Sequence, residues 1–316
     1  MHFVNAKGIL TSRQSGCGMN IYRGCSHGCV YCDSRSLCYQ FAHPFEDIEV
    51  KQNAPALLER ALRSKRKRCM IGTGAMSDPY MHCERELQLT RRCLEIILRY
   101  GFGATVLTKS DLVLRDIDLL AAIQASARCV VQMTLTTWDE KLCAMLEPAV
   151  CNTQRRVEAL GQLHARGIPT VVWLTPILPF INDTPQNLRA ILEACADVSV
   201  AGIVCFGMGM TLREGSREHF YAALDRHFPG LKARYIRTYA NAYELKSPNS
   251  DRLMALFHDF CEKAGIIHDP GACFAFLEDF PEKNVQMSIF DVPQTQCRQF
   301  SEGDEGRRER GSAPTP

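Results

Sequence analysis

Long apolar runs are scarce in this chain. The longest, Ile168 to Ile181, is interrupted by Pro169, Pro176 and Pro179. It also falls short of the ~20 residues that a membrane-spanning helix needs. Met1 to Leu10 lacks the apolar core of a secretory signal, so the expectation is a cytoplasmic protein. An excess of one charge is missing too: 37 Lys and Arg stand against 35 Asp and Glu, for a net charge of +2. That balance excludes a globally basic nucleic-acid binder and leaves room only for a local patch. With 21 Gly and 15 Pro in 316 residues, collagen-like and low-complexity chains are excluded as well. A chain of this length buries about three quarters of its unfolded surface, so its core needs no disulfide framework.

What the chain has in quantity is cysteine, 16 residues. Most stand singly in apolar segments (Cys93, Cys129, Cys195, Cys205, Cys261), where cysteine packs as a small hydrophobe. The exception is the crowd of Cys17, Cys25, Cys29, Cys32 and Cys38 near the N-terminus.

From about residue 69 the pattern alternates between strand and helix. Strands are predicted at Cys69 to Gly74, Gly103 to Leu107, Cys129 to Leu135, Thr170 to Leu174 and Ala201 to Phe206, and one more near Gly18 to Arg23. Helices are predicted over Glu84 to Tyr100, after a cap at Asp111, over Thr153 to Ala165, after Asp183 or Thr184, and near Ser216 to His227. About six β/α units point to an α/β fold with a parallel sheet: a partial (β/α)6 TIM-type barrel or an open doubly wound sheet. The predicted organisation is a core over residues 1–245 and a C-terminal helical extension over 246–285, including a helix at Asp251 to Ala264. A flexible, disordered tail over 286–316 completes it, charged and nearly free of apolar residues from about Glu302.

Cys25-Ser26-His27-Gly28-Cys29-Val30-Tyr31-Cys32 is a C-x3-C-x2-C spacing. Three thiolates in eight residues converge on a metal ion or a cluster. A four-iron cluster is normally held by four cysteines, so three would leave one iron open to a small molecule. The alternative is a structural zinc with Cys17, His27 or Cys38 as fourth ligand, although zinc ligands usually come as two spaced pairs and no second pair is present.

The motif, followed by β/α units, resembles that of the radical S-adenosylmethionine (SAM) superfamily. More narrowly, the chain resembles its spore-photoproduct-lyase-like branch. The stretches that carry this are Asn20 to Cys25, GTGAMSDPY at Gly72 to Tyr80, LTKSDLVLR at Leu107 to Arg115, Leu146-Glu147-Pro148, and TPILPFIND at Thr175 to Asp183. The resemblance implies a [4Fe-4S] cluster on Cys25, Cys29 and Cys32, with SAM on the open iron. It also implies reductive cleavage to a 5′-deoxyadenosyl radical, and an electron donor such as flavodoxin or ferredoxin. A DNA lesion or modified nucleobase is the implied kind of substrate.

The resemblance also marks candidate SAM contacts. Tyr31 sits where relatives place an aromatic near the adenine. Ser77, with Asp78 beside it, follows the second strand, although Ser-Asp-Pro is also ordinary turn chemistry. Lys109 ends the next strand, where a cation meets the methionyl carboxylate; lysine is disfavoured at a helix start, which argues for a purpose there. Thr134 and Thr136 end the fourth strand, where threonine is also common for its shape alone. Ala75 stands where photoproduct lyases of the branch carry a hydrogen-donating cysteine, so the likeness speaks for the radical chemistry and not for that substrate.

Two further segments draw attention. Arg60, Arg63, Lys65, Arg66, Lys67 and Arg68 form a basic run, read as a solvated face because it precedes a strand and so lies away from the βα loops. Gln286-Met287-Ser288-Ile289-Phe290 resembles the peptide by which bacterial repair proteins dock on the DNA sliding clamp, or it packs on its own domain. Two rival functions remain: a zinc-stabilised nucleic-acid-binding protein and a non-catalytic iron–sulfur redox sensor. Neither needs Lys109 or the GTGAMSDPY loop.

Overall fold

In a computed structural model, residues 1–12 and 16–281 are described. The strands are β1 (His2–Val4), β2 (Leu10–Ser12), β3 (Gly16–Met19), β4 (Tyr22–Arg23), β5 (Glu49–Lys51), β6 (Met70–Thr73), β7 (Gly103–Thr108), β8 (Cys129–Thr134), β9 (Thr170–Trp173), β10 (Gly202–Val204), β11 (Gly209–Thr211) and β12 (Glu244–Lys246). The helices are α1 (Ala54–Ser64), α2 (Glu84–Leu87), α3 (Leu89–Arg99), α4 (Ile117–Ser126), α5 (Glu140–Leu146), α6 (Thr153–Ala165), α7 (Pro185–Asp197), α8 (Ser216–His227), α9 (Leu231–Tyr239), α10 (Ser250–Ala264) and α11 (Pro270–Glu278).

The main sheet has the order β10-β9-β8-β7-β6-β3-β2. Its six strands from β3 to β10 are mutually parallel, and β2 is added antiparallel to β3 at one edge. This is the partial TIM-type barrel that the six β/α units predict. Central strands are covered on both faces and read as nearly unbroken apolar runs: every residue of CVVQMT in β8 is buried. Leu94, Ile97, Leu120, Ile123, Leu160 and Leu163 bring the inner faces of α3, α4 and α6 into one core with Val106, Val131 and Met133 of the sheet.

Several boundaries differ from the sequence reading, each for a local reason. The first predicted strand is two pieces, β3 and β4, belonging to different sheets. Glu84 to Tyr100 is two helices, broken at Gln88 in the left-handed region (φ 49°), because the buried Glu84 carboxylate accepts the Thr90 N–H at 2.9 Å. The cap expected at Asp111 is supplied by Ser110, whose hydroxyl oxygen accepts the Leu112 N–H, and the first turns are 3-10 before α4 begins. At α7, Thr184 is the cap, not Asp183.

Met1–Pro281 forms one unit. Leu253, Phe257 and Cys261 of α10 join the main core, and Cys273 and Leu277 of α11 pack with Val130, Val171 and Val204 at the sheet. The clamp-like peptide at Gln286–Phe290 and the expected disordered tail lie outside the described residues. No helix among the described residues is long and apolar enough to cross a membrane.

Candidate active site

The cysteine motif occupies the loop that leaves β4. Gly24 makes the turn possible: its φ is +84°, and a Cβ there would lie 2.4 Å from the Phe45 carbonyl oxygen. The Cys25 N–H then donates to that carbonyl at 3.1 Å, and the Ser26 N–H meets Met81 Sδ at 3.3 Å. Further along, the Val30 N–H donates to the Leu146 carbonyl at 2.9 Å, and Ala149 N–H donates to the His27 carbonyl at 3.2 Å. The Leu146-Glu147-Pro148 stretch thus forms the bed of the loop.

Cys25, Cys29 and Cys32 line a cavity of about 710 Å³ at the C-terminal ends of the parallel strands, shared with Tyr31, Ser77, Asp78, Lys109 and Thr134. Among the described residues these three are the only cysteines in that lining. Burial pushes the Cys25 thiol up to about 12, with Asp78 adding to the effect, and burial also raises Cys29 against the pull of Lys109. Such thiols need a bound cation to become thiolates.

The donor set fits a cluster better than one ion. Tetrahedral Zn–S bonds of ~2.3 Å put sulfurs about 3.8 Å apart. Among the described residues, the one group of three His, Cys, Asp or Glu donors within 4.8 Å of one another is His2, His43 and Glu49, not the three cysteines. The fourth ligands that a zinc would need are also engaged elsewhere. Cys17 lies 3.8 Å from Cys69 Sγ beside a second, smaller cavity, and Cys38 is exposed against Arg213 at 3.3 Å. His27 Nδ1 is 3.4 Å from Asp78.

Lys109 stands at the centre of the charge balance. Burial works against its charge, but Cys29 and Glu147 outweigh burial and hold its pKa above the usual lysine value. Its Nζ lies 5.7 Å from the centre of the Tyr31 ring. Ser77 and Thr134 line the cavity, and their hydroxyls make no hydrogen bond among the described residues. Asp78, in contrast, is a latch. Its carboxylate accepts from the Tyr80 N–H at 2.8 Å, Thr108 Oγ at 2.7 Å and the Lys109 N–H at 2.8 Å, which ties the loop after β6 to the end of β7. Gly74 permits the same approach, since a Cβ there would fall 1.9 Å from the Leu107 carbonyl oxygen. Thr136 does not line the cavity. It is fully buried, its carbonyl accepts from Asn182 and Asn187, and its hydroxyl is without a partner.

Sequence reasoning passed over an ion pair beneath the loop. Glu147 accepts from the Tyr31 hydroxyl and from Arg156 Nη2 at 2.5 Å, both fully buried. Arg156 also donates to the carbonyls of Thr134 (2.9 Å) and Cys151 (2.7 Å). A buried Arg nine residues after a Glu, across a loop, leaves no periodic signal. The only hint is that Glu147 lies in one of the stretches carrying the resemblance. At the cavity mouth, Trp173 meets Phe206 edge-on at 5.9 Å, and Phe206, 60% exposed, stacks on Phe274. The basic run from Arg60 to Arg68 is exposed and leads into β6, at the end opposite the cavity.

A parallel partial barrel with three thiols and a half-buried lysine at the C-terminal ends of its strands defines a class of cluster-binding α/β-barrel proteins. Residues 19–195 match the radical SAM superfamily, and the chain belongs to that superfamily. Members of this superfamily use a [4Fe-4S] cluster and SAM. An uncharacterized protein of Mycobacterium tuberculosis is 30% identical over 227 residues, 70% of this chain. The match spans 66% of that relative's length. An uncharacterized protein of Methanocaldococcus jannaschii is 32% identical over 167 residues, 52% of this chain and 61% of its own. Among solved structures, a spore photoproduct lyase variant with bound AdoMet and dinucleoside spore photoproduct superposes with a TM-score of 0.60. It covers 84% of this chain and 80% of its own at 12% identity, which is a likeness of fold.

Proposed function

We propose that this protein cleaves SAM reductively and directs the resulting radical at a nucleobase, in a nucleic-acid lesion or a modified nucleotide. The observation that carries the reading is the shared cavity: Cys25, Cys29 and Cys32 face the same space as Lys109, Ser77 and Thr134. The three thiols would hold the cluster, which, when reduced, supplies the electron that splits SAM into methionine and a 5′-deoxyadenosyl radical.

The chain's own residues do the positioning. Lys109 offers a charged Nζ to the methionyl carboxylate, an interaction strengthened by its half-buried site. Ser77 and Thr134 offer uncommitted hydroxyls to the ribose or carboxylate. Tyr31, fixed by Glu147, presents its ring beside Lys109, where it would flank the adenine. The aromatic mouth of Trp173 and Phe206 suits a planar ring. A dinucleoside photoproduct bound to the fold-similar lyase adds to the case for a nucleobase. Photoproduct reversal itself is not proposed: Ala75 lines the cavity without a thiol, and Cys69 is turned to Cys17.

The test is anaerobic reconstitution with iron and sulfide, reduction by dithionite, and assay of 5′-deoxyadenosine from SAM, with wild type beside Cys29→Ala. About four irons per chain and product formation lost in Cys29→Ala are expected. Zinc in place of iron would overturn the reading, and so would a cluster that yields no 5′-deoxyadenosine with or without oligonucleotide.

A further inference from the structure

A second group of ligand atoms lies away from the cavity, in the small sheet β1-β5-β4. His2 of β1 stands directly opposite Glu49 of β5 in the parallel ladder, so their side chains share one face. His43, from the loop before β5, closes over them. One ligand atom from each of His2, His43 and Glu49 lies within 4.8 Å of the other two. The His2 and His43 rings meet edge-on with centroids 4.8 Å apart.

The hydrogen bonds around the group leave the right atoms free. His2 Nδ1 is 3.0 Å from Asp47 Oδ2, which leaves Nε2 uncommitted. His43 Nδ1 is 3.0 Å from the Pro44 carbonyl, so this nitrogen carries the proton and Nε2 is left as a lone-pair donor. That Nε2 is buried without a hydrogen-bond partner, and the nearest Glu49 oxygen is 3.8 Å away, beyond hydrogen-bond reach. A buried imidazole nitrogen left unsatisfied between an imidazole and a carboxylate is what an ion would occupy. The Asp47 and Pro44 contacts match the outer partners that orient metal-bound histidines.

Neighbouring cations do not fill the place. Arg23, opposite Glu49 on β4, lies over the Phe41 ring and donates to the Tyr39 and Gln40 carbonyls. Lys51 Nζ donates to the Asn20 carbonyl. The Met1 amine pairs with Asp47 Oδ1, on the far side of that carboxylate.

The geometry points to a divalent metal site formed by His2, His43 and Glu49, with zinc as the ion. Two imidazoles and one carboxylate are borderline donors suited to Zn²⁺, and water completes the shell because the side chains are part-exposed, His2 most of all. The ion ties β1 and the loop at His43 to β5. Through β5 it steadies β4, the strand from which the cysteine loop departs. The site is independent of the radical chemistry.

The test uses the full chain carrying Cys25→Ala, Cys29→Ala and Cys32→Ala, so that the cluster thiols do not compete. Zinc chloride is titrated in by calorimetry, and cobalt(II) is followed by visible absorption. One zinc per chain is expected, with weak cobalt ligand-field bands and no sulfur charge-transfer band. Adding His43→Ala or Glu49→Gln is expected to weaken zinc by more than about 100-fold, and Asp47→Asn by about 10- to 100-fold. Elemental analysis of the iron-loaded protein with its cysteines intact gives an independent reading: one zinc beside the iron in wild type, none in His43→Ala. No zinc binding, binding unchanged by His43→Ala, or cobalt ligated by sulfur would overturn the site. A His43–Glu49 ion pair without a metal gives the first of these results.

Discussion

Lys109 holds its charge in a place where burial opposes it, because Cys29 and Glu147 surround it. An ammonium so placed, with no carboxylate salt bridge to it among the described residues, is available to an anionic ligand. A charge-assisted bond to the methionyl carboxylate contributes ~1.5–3 kcal/mol. Lys109→Ala should therefore raise the SAM dissociation constant about 10- to 100-fold. Iron content should stay at the wild-type level, since the lysine is not a ligand. Equilibrium dialysis with labelled SAM and an iron assay on the same sample check both. Unchanged SAM affinity would remove Lys109 from the binding site. Asp78 behaves differently although it is adjacent in space. Its oxygens are taken up by Tyr80, Thr108 and Lys109 of the chain itself, so its part is to set the Lys109 backbone.

At the scale of elements, the cysteine loop, the Leu146–Ala149 segment and α6 act as one block around the Glu147–Arg156 pair. Burial works to raise the Glu147 carboxyl, but Arg156 and Lys109 outweigh it and hold it below the ordinary glutamate value. Its stabilisation is present above the unfolded carboxylate pKa of ~4.3 and is lost as pH falls through the lower folded value. Glu147→Gln leaves Arg156 buried without a counter-charge and should cost about 3 kcal/mol near neutrality. The variant should also lose less stability than wild type on acidification. Urea unfolding at neutral and acid pH measures both. The parallel strands and most helices were legible in the sequence because burial on both faces writes continuous apolar runs, and exposed helices write a 3.6-residue period. The thiols and Lys109 were legible through their spacing and strand-end positions. The break at Gln88, the short helix α5 and the Glu147–Arg156 pair were not. Each is set by contacts between distant segments, which leave no local period. Thr136 looked equivalent to Thr134 from its place two residues on, but the strand ends at Thr134, and Thr136 is held away from the cavity lining with its carbonyl on Asn182 and Asn187.

For the whole molecule, the proposed cluster ligands bridge regions that the sheet alone does not join. Cys25 hangs from the Phe45 carbonyl, and the loop rests on Leu146 and Ala149. A group that binds the folded chain and not the unfolded one stabilises it by mass action. Iron–sulfur-loaded protein is therefore expected to melt several degrees above the iron-chelated form under anaerobic conditions, about 1–2 °C for each kcal/mol gained in a chain of this length. The difference should vanish in the Cys25, Cys29, Cys32 triple alanine variant. Equal melting of loaded and stripped wild type would show that the group does not bind the folded chain in preference to the unfolded one.

The supports of the cysteine loop also set an order of manufacture. Cys25 to Cys32 are made more than a hundred residues before the carbonyl of Leu146 and the N–H of Ala149 that hold their backbone. The nascent motif has its thiols and lacks its cradle. The pocket is therefore complete only once the chain beyond Ala149 has been made and folded.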